Sequence, residues 1–552
     1  MFRPSLLRLI GLIAIVFGVA GLLRFPPPWT ASAIPSSVER TVPYTDLNPL
    51  GANLFLEREV EDWKKRAALQ MAREGGFGWL TLHMPWASLE LRPGRFFSDA
   101  ERRSTWEKYD TLVSLAEEYG FRIVLRLDRP PAWARPEGSA QTAPPSNLED
   151  YGNFVATVAA RYRGRIQHYQ IWNEPNITIE WGDQPIDASA YARLLAVAAR
   201  RIRAADPDAL IVSAPLAQTL ERSRLNLSEL EYLEALYVAG FQNSADIVMA
   251  NAYGFDRPPE DSPAETALNF RRLELLRAVM VRHNDGAKPV WVAEFGWNAS
   301  PPTLPAERLI WRRVSEAEQA EYAVRAVRLA RSWGWVGVMN LWYFRQVGDY
   351  PVTSAVYYFR LVDVDFTPRL GYGPLAELSN ELRRAGPGMH QETSPAVEEI
   401  GTWSAALLSG VDSNTVLRSS RPGDKLRFTF AGSGVALVHS VGPTQGRFIV
   451  TIDGQPPPGL PRDEQDRAYL DLYGPTSETG RQSFIARDLR AGRHVLELVI
   501  DARADPRAQD REATVDGFAV ELRWSPLQFY QAAVAAAAGL LLLLFARRVG
   551  RG

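Results

Sequence analysis

HYQIWNEPN (168–176) and PVWVAEFGW (289–297) are the two stretches that decide the fold of this chain. Each is a largely apolar and aromatic run that leads into a glutamate, Glu174 in the first and Glu294 in the second. A run that is apolar on both alternating faces reads as a strand buried on both sides, which requires layers above and below it. Six further runs of the same kind surround these two: LGANLF (50–55), GWLTLHMPW (78–86), RIVLRLD (122–128), ALIVSAP (209–215), DIVMANAY (246–253) and VGVMNLWYF (336–344). Amphipathic stretches with helical spacing lie between them, such as TWEKYDTLVSLAEEYG, YGNFVATVAARYRG and YARLLAVAARRIRAA. Eight strand–helix units between residues 49 and 385 predict a closed (β/α)8 TIM barrel of the α/β class. The competing open, doubly wound sheet would need a glycine-rich nucleotide turn, and neither G-x-G-x-x-G nor G-x-x-x-x-G-K-[ST] occurs.

The grammar changes on both sides of the barrel. Residues 386–400 (AGPGMHQETSPAVEE) read as a linker. From 401 to 524 short strands follow one another without a helix, among them KLRFTF, GVALVHSV, RFIVTIDG, AYLDLY, SFIARDL, HVLELVID and TVDGFAVELRW. Gly, Pro and Asp-Gly turns separate them, so this part is expected to be an all-β sandwich. Trp403, Tyr469 and Tyr473 could form a stacking face there, with core positions expected for at least two of them. Trp524 to Ala546 carry no charge and are followed by Arg547, Arg548 and Arg551. That pattern predicts a C-terminal transmembrane helix over 525–546 with a basic cytoplasmic tail, 547–552. At the other end, residues 1–24 contain LIGLIAIVFGVAGLL between Arg8 and Arg24 and read as a membrane anchor or a signal peptide. Ala31-Ser32-Ala33 resembles a cleavage site, but it lies far beyond the apolar stretch, which favours an uncleaved anchor. Residues 25–48 form a Pro-rich tether. Either reading places the barrel and the sandwich outside the cytoplasm.

Composition narrows the chemistry. The chain has no cysteine, which excludes disulfides, thiolate metal sites and a cysteine nucleophile. Its six histidines include no H-x-x-x-H pair, so a histidine-built metal site has little support and no cofactor is expected. A net charge of -2 gives no reason to expect a nucleic-acid partner. In a parallel barrel the active site lies where the strands end, so the last residues of each strand are the informative ones. Glu174 and Glu294 finish the fourth and seventh strands on one rim. A lone surface glutamate is the usual alternative, but each of these follows an apolar run where an unpaired carboxylate is expensive. Two such carboxylates can supply acid, base and nucleophile without a metal.

WNEPN and AEFGW, in this order and on these strands, resemble the signature of glycoside hydrolase clan A, closest to family 39 with families 5 and 30 as neighbours. The resemblance covers about residues 45–380. It implies a retaining mechanism on β-glycosidic bonds, with Glu174 as acid/base and Glu294 as nucleophile. It further implies that Asn173 binds the hydroxyl next to the anomeric carbon, that Tyr253 holds Glu294, and that Trp342 floors the sugar at the cleavage point. Trp133 would stack a neighbouring sugar. Trp86, Trp297, His83 and Asp128 are further candidate sugar contacts, His83 and Asp128 having buried or ion-paired alternatives. Glu90 is expected to be structural. Many clan members carry a histidine before the sixth-strand tyrosine or at the end of the third strand; here NAYGF and RLDRPP place Asn251, Arg126 and Asp128 there. Asn176-Ile177-Thr178 fits the glycosylation sequon, but a glycan would obstruct the cleft. The expected partners are a poly- or oligosaccharide substrate and the lipid bilayer. A transglycosylase would share every one of these residues, whereas a non-catalytic carbohydrate receptor would be expected to have lost one carboxylate.

Overall fold

The computed structural model describes residues 4–24, 42–348, 351–408, 410–411, 415–522 and 526–549. The cleavage-like Ala31–Ala33, most of the tether and Trp524 lie outside the described residues.

All eight expected strands form: β1 (Leu50–Asn53), β2 (Trp79–His83), β3 (Arg122–Leu127), β4 (His168–Ile171), β5 (Leu210–Val212), β6 (Val248–Tyr253), β7 (Val290–Gly296) and β8 (Val336–Leu341). Their order is β5-β4-β3-β2-β1-β8-β7-β6, with every pairing parallel. A parallel bridge between Val212 and Ile247 joins the two ends, and the Ser213 N–H donates to the Ile247 carbonyl at 3.0 Å. The sheet is therefore a closed barrel. A helix follows each strand and packs outside it, from Asp62–Glu74 after β1 to Tyr372–Leu382 after β8. Capping side chains start several of these helices. Asn147 accepts from the Glu149 N–H, Asp187 accepts from Ala190, and Ser315 with Glu318 forms a reciprocal capping box.

The N-terminal end of the barrel interior is closed by rings. Trp79 meets Trp291 edge-on at 4.9 Å, and His168 stacks on Trp291 at 4.9 Å. Val124, Val212, Ile247, Met249 and Val338 complete this apolar plug. Gly337 is required beside it, since a Cβ there would fall 2.2 Å from Trp291 Nε1. The opposite end carries the rim described below.

The expected linker corrects to sandwich. Within 386–400, β9 (Gly388–Gln391) and β10 (Val397–Ile400) are strands. They are followed by β11 (Ser404–Leu407), β12 (Thr415–Ser419), β13 (Lys425–Gly432), β14 (Gly434–Val441), β15 (Arg447–Ile452), β16 (Tyr469–Asp471), β17 (Glu478–Ala486), β18 (Gly492–Ile500) and β19 (Ala513–Glu521). One sheet runs β11-β12-β19-β14-β17 with β9 also paired to β19, and the other runs β10-β13-β18-β15-β16. Leu426, Phe428, Leu437, Phe448, Leu498 and Phe518 fill the space between them. The polar backbone of 386–400 has its hydrogen bonds in these ladders, which is why a stretch without apolar alternation is ordered. Trp403, Tyr469 and Tyr473 are half-buried: Trp403 lies over Phe448, and the rings of Tyr469 and Tyr473 are covered by Arg447 and Arg507. The sandwich meets the barrel through Asp46, which accepts from the Gln391 N–H at 3.1 Å, and through Arg122 paired with Glu399 at 2.8 Å.

Helices Pro4–Arg24 and Pro526–Val549 pack side by side. Their backbones approach closely, for a Cβ on Gly18 would fall 2.4 Å from Ala536 N and one on Gly539 would fall 2.6 Å from Gly11 O. Among the described residues one helix segment, Tyr530–Arg548, is long and apolar enough to cross a membrane; the apolar stretch Leu9–Val19 is shorter.

Candidate active site

The turn after β4 delivers Glu174. The strand stops at Ile171, and Trp172 and Glu174 adopt left-handed φ angles of 72° and 39°. Each such non-glycine conformation costs on the order of 1–2 kcal/mol and persists only where its surroundings hold it. Those surroundings are specific. The Glu174 N–H donates to the Pro215 carbonyl at 3.0 Å. The Asn176 side chain donates to the carbonyls of Ala217 and Leu227 at 2.8 and 2.9 Å and accepts from the Ala217 N–H at 2.8 Å. Asn176 is fully buried with its amide engaged, so the sequon is a structural coincidence.

Glu294 stands on β7 directly beside Asn251 on β6, the two being register partners. The Tyr253 hydroxyl, two residues further along β6, donates to Glu294 Oε2 at 2.5 Å. Asn251 Nδ2 donates to Glu174 Oε1 at 2.6 Å. The strand that neighbours one glutamate therefore holds the other. Burial, then the charge of Glu294 and of Glu180, push the Glu174 carboxyl well above the usual carboxylate range. Burial raises Glu294 too, but the Tyr253 hydrogen bond and the Arg126 charge pull it back.

A charged wall borders this pair. Asp128 is buried and accepts from Arg126 Nε at 2.6 Å, while its other oxygen lies 2.5 Å from His83 Nε2. Burial alone would raise the Asp128 pKa, but Arg126, His83 and Arg129 together hold it well below the carboxylate range. Burial pushes His83 down to about 4, so at neutral pH it is an uncharged partner. Asp128 thus aims Arg126, whose guanidinium acts electrostatically on Glu294 and Glu174. Glu180, in the short 3-10 turn Thr178–Glu180, lies 3.9 Å from Arg126 and 3.8 Å from Arg129. It hydrogen-bonds Asn173, and burial raises its pKa. Sequence reasoning missed Glu180, six positions after Glu174, because a glutamate in a polar turn reads as solvated.

The aromatic candidates divide. Trp342 and Trp133 are half-buried. Trp342 meets Phe55 edge-on at 5.4 Å, and its Nε1 has no hydrogen-bond partner among the described residues. Trp133 donates to the Glu90 carbonyl at 3.0 Å. Two expected sugar contacts are corrected. Trp86 is fully buried, stacks on Phe154 at 5.1 Å and donates to Glu90 Oε2 at 2.6 Å. Trp297 is 1% exposed and donates to the Arg257 carbonyl at 2.7 Å. Its ring lies against Gly254, where a Cβ would come within 1.9 Å. Neither ring has a face left for a ligand. Trp311, which the sequence did not single out, is half-buried 6.1 Å from the Tyr253 ring and 5.4 Å from Phe359. Among the described residues no group of three or more His, Asp or Glu side chains is arranged to hold a metal.

No family model matches the chain, and no curated protein matches it in sequence. Family 39 glycoside hydrolases are among its structural neighbours. One is from the gut symbiont Bacteroides cellulosilyticus WH2, at 19% identity and a TM-score of 0.47, covering 84% of this chain and 82% of that one. A second, from Xanthomonas axonopodis pv. citri, is 15% identical with a TM-score of 0.46, covering 85% of this chain and 96% of that one. A monomeric β-xylosidase from Caulobacter crescentus CB15 is 15% identical with a TM-score of 0.45, covering 84% and 98% of the two chains.

Proposed function

We propose that the protein is a retaining glycoside hydrolase acting on β-glycosidic bonds of a polysaccharide or oligosaccharide outside the cytoplasm, held to the membrane by its terminal helices. The observation that carries the catalytic part is the pair of half-buried carboxylates, each held by one side chain of β6: Glu294 by Tyr253 and Glu174 by Asn251. In this reading Glu294, in its charged form, gives an electron pair to the anomeric carbon. Glu174 gives its proton to the departing oxygen as the glycosidic bond breaks. Esterification removes the Glu294 charge, so Glu174 loses one cause of its raised pKa and can take a proton from water. The water oxygen then bonds to the anomeric carbon and the electron pair returns to Glu294. Trp342 floors the sugar, and Asn173 binds the neighbouring hydroxyl. Arg126, positioned by Asp128 and His83, favours the charged state of both glutamates. Both carboxyls being raised, the bell-shaped pH profile is displaced above that of ordinary carboxylates.

The anchor rests on the 19-residue apolar segment Tyr530–Arg548 with arginines at its end and on the close packing of the N-terminal helix against it. The test of function is turnover of a panel of activated aryl β-glycosides and of polysaccharides, with mechanism-based fluorinated glycosides read by mass spectrometry. Glu294→Gln is expected to lower turnover by about three orders of magnitude or more while keeping binding, and the label should sit on Glu294. Equal turnover in the variant, or a label elsewhere, would remove Glu294 from the mechanism.

A further inference from the structure

The two oxygens of Glu174 are not equivalent. Oε1 accepts the Asn251 Nδ2 hydrogen bond at 2.6 Å, and a side-chain amide N–H can only donate. An oxygen that receives a donor at that distance is a poor place for a carboxylic proton, because two hydrogens would then face each other. Asn251 itself has little freedom to turn away. It is 3% exposed, sits mid-strand in β6, and is paired in register with Glu294. Its position is thus set by the same ladder that sets the nucleophile.

We propose, on the basis of the glycosidase reading above, that Asn251 is a positioning residue that decides which oxygen of Glu174 carries the transferable proton. Oε1 is reserved for the negative charge and Oε2 serves the glycosidic oxygen. In the first half-reaction the Oε2–H bond breaks and its proton goes to the departing oxygen, which keeps the electron pair of the broken C–O bond. In the second, a water O–H gives its proton back to Oε2 while the water oxygen bonds to the anomeric carbon and the Glu294 ester bond breaks. Asn251 stays neutral throughout, so it supports the ionised Glu174 of the second half without adding a charge to the site. The other groups that act on Glu174 come from every neighbouring element: Glu294 on β7, Glu180 in the turn after β4, and Arg126 on β3. None of them contributes a hydrogen bond to either oxygen among the described residues, which leaves Asn251 to orient the carboxyl.

The test compares the full-length wild type with Asn251→Ala and the near-isosteric Asn251→Asp, both checked by thermal melting. Against aryl β-glycosides of poorly acidic phenols, Asn251→Ala is expected to lose about 10- to 100-fold in kcat/KM, less than the ~10²–10⁴-fold that loss of a whole general acid costs. A dinitrophenyl glycoside, which needs no proton on departure, should lose clearly less. The basic limb of the profile should move to higher pH, because the ionised Glu174 has lost its donor. Asn251→Asp should show the same leaving-group dependence if Asn251→Ala fails to fold. An equal loss across all leaving groups with an unmoved basic limb is the mark of a merely structural residue and would overturn the proposal. A wild type that turns over no glycoside defeats the glycosidase reading instead. The hydrogen bond is then read directly by 13C NMR titration of the Glu174 carboxyl, assigned by its loss in Glu174→Gln. An unchanged titration in the Asn251 variants would overturn the proposal there as well.

Discussion

At one end of the barrel interior, Trp79, Trp291 and His168 close the space with ring against ring and no counter-charge. At the other end, Asp128 is buried and Glu174, Glu294, Arg126 and His83 are half-buried around it, and their charges must be answered one by one. The two histidines show the difference. His168 is pushed down to about 3 by burial, with Arg122 adding to the effect, and nothing opposes it. His83 is pushed down to about 4 by burial against the opposing pull of Asp128. The same side chain is a flat apolar plate at the bottom and a hydrogen-bond spacer at the top. The bottom of the barrel is built for cohesion, and the top keeps electrostatic tension that cohesion elsewhere must offset.

The sharpest way to separate the ends is to remove one ring from the bottom. Trp291→Ala should cost about 3–5 kcal/mol of stability, the usual range for a buried tryptophan, read as a large drop in melting temperature. The folded fraction should keep the pH profile of the wild type, and a shifted profile would mean the ends are coupled. Tyr253→Phe, at the top, should lower the melting temperature less than Trp291→Ala does. It removes a hydrogen bond to a charged group, worth about 1.5–3 kcal/mol, so kcat/KM should fall roughly tenfold or more. The acidic limb should move to higher pH, since Glu294 loses the donor that holds it down.

Glu174→Gln reverses the usual direction of a core mutation. The wild-type folded pKa is raised above its unfolded value, so the stability it contributes is complete at acidic pH and is lost as pH rises through the folded pKa. The glutamine variant has no such loss and should melt about 2–4 °C higher above pH 8, while near pH 4 the two should coincide. A melting gain that is independent of pH would argue against ionisation as its cause. The smallest effect concerns His168. Its folded pKa lies below the unfolded value of about 6.5, so stability is complete above that pH and declines as the pH falls towards about 3. His168→Phe should flatten that decline in an acid titration of the melting temperature.

The eight strands were legible because strands buried on both faces are near-continuously apolar, and Glu174 and Glu294 stood out as acidic residues finishing such runs. What failed lies just beyond the strands. Trp86 and Trp297 follow strand ends as directly as Trp342 does, yet two are core and one borders the site. Once the chain leaves the sheet, alternation no longer says which way a ring points; Trp297 is turned inward because Gly254 leaves room for it. Asn251 stands out in the sequence only as taking the place of the histidine many clan members carry there, since its effect depends on a glutamate 77 positions away meeting it from another strand. Segment 386–400 hid its strands because Val397–Ile400 is a largely exposed edge whose stability comes from the ladder with β13 rather than from its own side chains.

The pairing of β9 with β19 has a mechanical consequence. Gly388, where the chain arrives from the barrel, faces Val520, one residue before the chain leaves β19 towards the C-terminal helix. Tension applied between the barrel and that helix therefore enters and leaves at the same end of an antiparallel ladder. It loads the hydrogen bonds one after another, as in unzipping, instead of shearing them all at once. β9 would peel away at low force while the rest of the sandwich stays folded, giving the barrel a few extra residues of slack.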